Sequence, residues 1–213
     1  MHTETAPAAT DHLPISPSVL YFGTPVALLT TENADRTANL APISSAWALG
    51  HTVVLGLGAE GHTVANLTAR PELVINLPSA DMWAAVERLA PLTGAHPVPA
   101  AKRPVYRHEP DKFAAAGLSP QPSETVRPPR VAECPLQLEA RVRTLTPAGL
   151  DGEFRIAECD VVRVHASAAL VVPGTQHVDP GAWSPLIYNF RHYFALSRPE
   201  LGHGFRSQTT SNT

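Results

Sequence analysis

The chain has 213 residues, of which 44% are hydrophobic and 16% are charged, and its formal net charge is −3. This composition supports a sizeable core, and the absence of a basic block gives no support for binding to nucleic acid or to an anionic membrane. No apolar run approaches the length of about 18 residues that a spanning helix needs, and the N-terminus lacks the pattern of a secretory signal. We therefore expect a cytoplasmic protein.

Proline and cysteine restrict the fold further. There are 22 prolines, and because proline breaks helices and central strands, the elements must be short, which argues against a helical bundle. The two cysteines, Cys134 and Cys159, are too few for a disulfide scaffold. In a reducing compartment we expect them to be buried thiols.

The first half of the chain shows mostly strand patterns. We expect a flexible N-terminal arm over residues 1–18. Composition, turn residues and the Arg70-Pro71 pair then predict strands at 24–31, 51–58 and 73–77 and helices at 62–69 and 80–90.

The segment TANLAPISSAW, at 37–47, interrupts this pattern. It has no charge and no glycine, and it places an Asn, a Pro and two Ser among small apolar residues between two predicted strands. A strand that only fills a core would use Val, Ile and aromatic residues. The segment predicts a surface against which a flat, polar-edged molecule lies, although an irregular edge strand would show the same composition.

The second half contains a long irregular segment and then regular strands. Residues 91–135 are rich in proline and contain one short predicted helix at 111–118, which indicates an ordered excursion or a lid. Apolar and polar residues alternate over 136–143, which predicts a half-buried antiparallel strand. Residues 154–172 predict one long strand or two short ones.

These elements favour a mainly β fold. About six strands and two or three short helices are expected, and helices do not alternate with strands. We therefore predict an antiparallel barrel with appended helices. A single domain over 19–203 would be followed by a flexible tail at 204–213.

The stretch GLGAEG at 56–61 matches the pattern G-x-G-x-x-G, and Asp81 follows Gly61 by 20 residues. That spacing is typical of a dinucleotide-binding Rossmann unit. However, the short distance from Gly61 to Leu73, which includes Arg70-Pro71, leaves little room for a crossover helix and its loops. The same turn is better suited to approaching a phosphate with its backbone amides, or to starting a helix that His62 or Thr63 caps.

Metal and hydrolase sites are not indicated. The ten histidines show neither H-x-x-x-H nor H-E-x-x-H spacing, so we expect no metal site. Ser44, Asp160 and His165 could be drawn as a catalytic triad, but no G-x-S-x-G elbow supports them. We therefore predict no catalytic acid, base or nucleophile.

The order of several motifs resembles the flavin reductase-like, FMN-binding split-barrel family, which includes flavoredoxins. The matching stretches are TPVALLTT, the N-x-x-P-x-S segment Asn39 to Ser44, the T-x-x-N-L stretch Thr63 to Leu67, and the V-x-N strand Val74 to Asn76. The resemblance continues at DKFAAAGL, RPPRVAECPLQLEARV and DVVRVHA, and so covers about residues 19–170.

The resemblance implies a homodimeric split barrel with FMN, or FAD, at the subunit interface. It implies that NADH or NADPH passes a hydride to the flavin, which could then serve a monooxygenase or another acceptor. Residues that would line the isoalloxazine ring and the ribityl chain are Asn39, Leu40, Ala41, Pro42, Ser44 and Ser45. Residues that would hold the ribityl chain and the phosphate are Gly61, His62, Thr63 and Asn66.

Two departures from the family pattern matter for the site. Family members often carry a lysine or another charged residue before the threonine of the T-x-x-N stretch, where this chain has Gly61-His62. The missing cation could be supplied by protonated His62 or by Lys102, Arg103 or Lys112. The aromatic tail SPLIYNFRHYFALSR also differs, and its members could pack on the flavin, on a partner subunit or in the core.

Other functions remain compatible with the sequence. The protein could be a flavin-carrying electron-transfer protein without nicotinamide activity, or a flavoenzyme that acts on a small organic substrate with 91–135 as its lid. A Rossmann dehydrogenase is the remaining alternative.

Overall fold

The computed structural model describes residues 12–196 and residue 201. The proposed N-terminal arm therefore lies partly, and the proposed tail at 204–213 wholly, outside the described residues. The strands are β1 (Phe22–Pro25), β2 (Ala27–Glu32), β3 (Ala38–Ile43), β4 (Ala46–Leu49), β5 (Thr52–Gly58), β6 (Glu72–Leu77), β7 (Leu92–Thr93), β8 (Arg107–His108), β9 (Pro120–Gln121), β10 (Arg130–Val131), β11 (Leu136–Ala148), β12 (Phe154–Ala166), β13 (Ile187–Asn189) and β14 (His192–Phe194).

The helices are few and short. They are α1 (His62–Ala69), α2 (Trp83–Leu89) and α3 (Lys112–Ala116), with single 3₁₀ turns at Ala80–Met82, Ala100–Lys102 and Ala168–Leu170. The helix predicted at 62–69 is confirmed. The helix predicted at 80–90 is instead a 3₁₀ turn that leads into α2.

The main sheet has the strand order β3-β2-β6-β11-β12-β5-β4, and all its neighbouring strands are antiparallel. Strands β3 and β4 are the two edges of this sheet, yet only Ser44 and Ser45 separate them in sequence. The sheet must therefore curl until its edges approach each other, which makes a barrel with a seam. The predicted mainly β, antiparallel fold is confirmed.

Two hydrophobic cores lie on opposite faces of β2, which is buried along its whole length. Ala27 and Leu29 belong to the barrel core with β5, β6 and α1, whereas Leu28 belongs to a core that α2 and α3 cover. Strand neighbours alternate between faces, so a run of apolar residues in β2 serves both cores. The two thiols, Cys134 and Cys159, are buried, one in each core, and burial raises the pKa of both.

The strand predicted at 24–31 is divided. Strand β1 pairs with β13 in a small separate sheet as far as Pro25, and the amide of the next residue, Val26, donates to the Leu186 carbonyl at 2.8 Å. In the same small sheet, the Tyr193 hydroxyl donates to Glu87 at 2.9 Å and its ring packs against Tyr188, with centroids 5.3 Å apart. This part of the aromatic tail therefore packs at the edge of the helix-covered core.

The strand predicted to be half-buried is covered on both faces at its start. Gln137 and Glu139 are buried in β11 together with Ala140. The cause is the proline-rich segment that crosses them, because Gln137 donates to the Val131 carbonyl at 2.6 Å and Glu139 accepts from the amides of Glu124 and Thr125. The expectation of one polar, solvated face was therefore wrong for this part of β11.

Candidate functional site

A buried polar cluster joins the β2–β3 hairpin, the start of α1 and the start of α3. We call it the polar cluster and define it by the residues Thr31, Asn33, Asn39, His62, Thr63, Asn66 and Lys112. Most of its side chains are buried, and Lys112 is only 3% exposed. The cluster contains four of the ten residues predicted to bind the cofactor, so the structure brings Asn39, His62, Thr63 and Asn66 together.

Asn39 is at the centre of the polar cluster. Its side-chain amide nitrogen donates to the hydroxyls of Thr31 and Thr63, both at 3.3 Å. Its side-chain oxygen accepts from the Lys112 ammonium at 2.9 Å. Three elements that are distant in sequence therefore meet on a single amide group, which fixes the orientation of the group because a buried amide must have partners.

Asn66 is held by the same hairpin. Its amide nitrogen donates to Thr31 at 3.1 Å and to the Asn33 oxygen at 2.8 Å, and its oxygen accepts from Arg70 at 3.2 Å. His62 Nε2 lies 2.9 Å from the same Asn33 oxygen. Since that oxygen is an acceptor, Nε2 carries the proton of the neutral ring and Nδ1 is the nitrogen that can accept one.

Lys112 is the cation of the polar cluster, and Lys102 and Arg70 lie close enough to act on its electrostatics. The pKa of Lys112 is lowered to about 8, mainly by burial and then by the nearby ammonium of Lys102, while Glu109 acts in the opposite direction. Burial likewise lowers the pKa of His62, with further lowering by Lys112, His108 and Arg70. Cations that repel one another in a desolvated site make a site that favours an anion.

The three candidate cations differ in position. Lys112 lies inside the polar cluster, and the Lys102 ammonium donates to the Glu60 carbonyl at 3.2 Å, at the turn before α1. Arg103 points elsewhere, because its Nε donates to the Val98 carbonyl. Of the sequence candidates, the two lysines therefore reach the site and Arg103 does not.

The segment after α2 packs on the polar cluster. A Cβ added to Gly94 would lie 2.6 Å from Cδ2 of His62 and 2.8 Å from the side-chain oxygen of Asn39. Only glycine fits at such separations without a shift of one of the partners. The backbone at 94 therefore covers part of the site.

The first turn of α1 contains backbone donors without an acceptor among the described residues. Helix α1 has Gly61 as its N-cap and no side-chain cap, and no acidic residue lies in its first turn. In the part of the chain that the structure describes, no acceptor is found for the amides of His62, Thr63 and Val64. A Cβ on Gly61 would lie 2.9 Å from the Gly58 carbonyl, so this tight turn requires glycine.

The segment Asn39–Ser45 borders the seam of the barrel. Leu40 is buried in the helix-covered core, whereas Ala41, Pro42 and Ser44 are partly exposed and Ser45 is exposed. Within the described residues, the hydroxyls of Ser44 and Ser45 have no hydrogen-bond partner. The Gly56 amide donates to the Ser45 carbonyl at 2.8 Å, and Gly58 at the turn follows Gly56 in β5 by two residues, a rise of about 7 Å along the strand.

The other sequence hypotheses do not match the geometry. The strands on either side of the glycine-rich turn, β5 and β6, are not neighbours in the sheet, so no Rossmann unit is formed. Asp160 pairs with Arg143 and His165 pairs with Glu139 at 2.8 Å, so these residues do not form a triad with Ser44. Among the described residues, no group of His, Cys, Asp and Glu could hold a metal ion.

A cavity of about 600 Å³ lies elsewhere, between the β9–β10 hairpin and the end of β12. Arg130, Gln137 and His165 line it. These three side chains already have hydrogen-bond partners within the protein. Arg130 donates to Gln137 at 2.9 Å and to the Pro122 carbonyl, and His165 pairs with Glu139. The cavity contains none of the predicted cofactor-binding residues.

Comparison with known proteins identifies the class. The model of the flavin reductase like domain family matches residues 19–197, so the chain belongs to that family. The uncharacterized protein YdfE of Bacillus subtilis (strain 168) is 44% identical over 196 residues, which are 92% of this chain and 94% of YdfE.

Solved structures agree on the fold. Flavoredoxin of Desulfovibrio vulgaris (Miyazaki F) is similar with a TM-score of 0.74 at 20% identity, over 94% of this chain and 100% of that one. A split barrel domain protein from Shewanella frigidimarina NCIMB 400 has a TM-score of 0.68 at 17% identity, over 85% of this chain and 87% of that one. The protein is therefore a flavin-related oxidoreductase with a mainly β split barrel. Within the described residues, no helix is long and apolar enough to cross a membrane.

The depressed pKa of Lys112 predicts a characteristic pH dependence of stability. Between pH 8 and about 10.5 the unfolded chain holds a proton on Lys112 that the folded chain has released, so the stability of the folded state rises with pH in this window. We expect the free energy of unfolding, relative to that of Lys112→Met, to rise by about 1–2 kcal/mol from pH 7.5 to 9.5 in urea titrations. Parallel profiles for the two proteins would contradict the burial of a titrating Lys112.

Proposed function

We propose that the protein binds FMN between the Asn39–Ser45 segment and the Gly58–Thr63 turn, and that it transfers a hydride from NADH or NADPH to the flavin. When bound, the flavin supplies the ring that accepts the hydride. One observation carries the proposal. Hydroxyls at Ser44 and Ser45 and backbone amides at the start of α1 are without partners among the described residues, and both places lie beside the polar cluster with its buried Lys112. The resemblance of the motifs to the family supports FMN, and FAD would use the same ring site.

The seam segment fits the polar edge of a flavin ring. An isoalloxazine ring presents several polar atoms along one edge, and each needs a partner when it is buried. The hydroxyls of Ser44 and Ser45 are available, and Leu40 contributes through its backbone because its side chain faces the core. Ala41 and Pro42 have small or compact side chains that allow a flat ring to approach closely.

The turn fits the phosphate of the same ligand. The amides of His62, Thr63 and Val64 are in the first turn of α1, and the positive end of the helix dipole lies there. Thr63 does not cap the helix, because its hydroxyl accepts from Asn39 inside the polar cluster. A phosphate dianion at this turn would raise the lowered pKa values of His62 and Lys112 again by Coulomb attraction.

The chain's own part in the reaction is positioning and electrostatics. Lys112 orients the Asn39 amide by donating to its oxygen, and the hydroxyls of Thr31 and Thr63 accept from the amide nitrogen. Fixed donors and cations beside the ring favour the negative charge that a flavin gains on reduction. No acid, base or nucleophile is required for hydride transfer between two cofactors.

We also propose that the protein is a homodimer. The register of β4, β5 and β12 places Trp47, Val54, Gly56 and Ile156, with Glu158 beside them, on the same outer face of the barrel. Trp47 is 59% exposed and Ile156 is 41% exposed, and an apolar face of this kind favours a partner. A second copy is the occupant that fits, because the face continues through Gly56 to Ser45 and the turn, where a partner subunit would enclose the flavin.

A reduced flavin could be passed to a monooxygenase or another acceptor. A carrier of electrons without nicotinamide activity, and an enzyme that acts on a small organic substrate, would use the same ring site. The reaction with NADH and NADPH distinguishes the proposed reductase from the carrier.

The flavin proposal predicts a spectrum and a reaction. The purified protein should bind FMN, and anaerobic addition of NADH or NADPH should bleach the flavin absorbance. Thr63→Ala should weaken FMN binding by about 1–2 kcal/mol, because the Thr63 hydroxyl, which accepts from Asn39, would donate its own proton to the phosphate. Thr68→Ala, in the same helix with its hydroxyl on the Val64 carbonyl, is the control and should bind as the wild type does. Loaded protein that stays yellow with both nucleotides would identify a carrier instead.

The dimer proposal predicts a change in mass. Ile156→Glu places a charge on the apolar outer face and should shift the protein from dimer to monomer in sedimentation equilibrium without changing its fold. Leu150→Glu, at a fully exposed turn residue, is the matched control and should remain dimeric. A wild-type monomer, or a dimer that survives Ile156→Glu, would show that this face is not the interface.

A further inference from the structure

The chain contains only two lysines, Lys102 and Lys112, and both come to the proposed flavin site from the same proline-rich segment. Lys112 donates to Asn39 at the floor of the site, and Lys102 donates to the Glu60 carbonyl at the turn before α1. The two ammonium groups are close enough for Lys102 to lower the pKa of Lys112. Both lysines of the chain are therefore found at one place.

The position of Lys102 is set by its backbone. Residues Ala100–Lys102 form a 3₁₀ turn, and the Lys102 carbonyl accepts from the amides of Val105 at 3.0 Å and Tyr106 at 2.8 Å. The base of the segment is anchored by the parallel pairing of β7 with β8. The lysine is thus carried to the turn by an ordered piece of chain.

The turn itself lacks a cation. Residues 58–63 are Gly, Ala, Glu, Gly, His and Thr, and burial together with the neighbouring cations keeps the pKa of His62 below its ordinary value. The acceptor of the Lys102 ammonium is the neutral Glu60 carbonyl. A phosphate oxygen at the same turn is a charged acceptor and would form the stronger, charge-assisted bond.

We propose that Lys102 binds the phosphate group of FMN and replaces the cation that the turn does not provide. This inference rests on the proposed function, since it assumes a flavin in the seam of the barrel. Because Lys102 belongs to the proline-rich segment, phosphate binding also holds that segment against the turn. A flavin without phosphate would occupy the ring site and leave this contact unmade.

The test compares FMN with riboflavin, which has the same ring and no phosphate. Dissociation constants for both are measured by fluorescence quenching with wild type and with Lys102→Gln. We expect the variant to bind FMN about tenfold more weakly and riboflavin within about twofold of wild type. Raising the salt concentration should weaken FMN binding less in the variant than in wild type. Arg103→Gln removes the adjacent charge, whose side chain faces Val98, and should leave both affinities unchanged.

Three results would overturn the assignment. Unchanged FMN affinity in Lys102→Gln would show that the lysine does not bind the phosphate. An equal loss for FMN and riboflavin would show that the change acts on the site as a whole. A wild-type protein that binds neither flavin would contradict the proposed function itself, and with it this role for Lys102.

Discussion

The structure of the site depends on one buried amide group. Asn39 needs partners for both ends of its side chain because the group is almost completely removed from water. The barrel supplies Thr31, helix α1 supplies Thr63, and the proline-rich segment supplies Lys112. If any one of these partners were displaced, a buried donor or acceptor would be left unpaired. The amide therefore ties the three segments that line the proposed flavin site to a single arrangement.

The curvature of the sheet explains why the site is at the seam. The two edge strands, β3 and β4, are consecutive in the chain, so the residues between them must bridge the gap between the edges of the barrel. Backbone groups without partners are tolerated at such a gap, whereas in the middle of a sheet they would be paired with the neighbouring strands. Polar side chains such as those of Ser44 and Ser45 can also stand at the gap. The unusual composition of residues 37–47 is thus a consequence of their place in the fold.

Local patterns predicted much of the fold. The helix at 62–69 follows from the glycine-rich turn before it and the Arg70-Pro71 pair after it, and the order of the motifs indicated the family. What could not be read from the sequence are contacts between distant residues. Nothing near Lys112 shows that its ammonium meets Asn39, 73 residues away, and the alternation in β11 gave no sign that the preceding proline-rich segment buries Glu139. The role of Asn66 as a partner of the hairpin was also hidden, because its motif suggested a ligand contact.

The seam, the turn and the proline-rich segment are proposed to contact one ligand, and the Asn39 amide connects the elements that bear them through hydrogen bonds. Hydrogen–deuterium exchange with and without FMN tests this most directly, because it reports the backbone of all three segments in one measurement. The account predicts slower exchange at residues 39–46, 58–64 and 92–112 when FMN is bound, with little change at the β11–β12 turn. Protection confined to another region, such as the cavity beside His165, would contradict it.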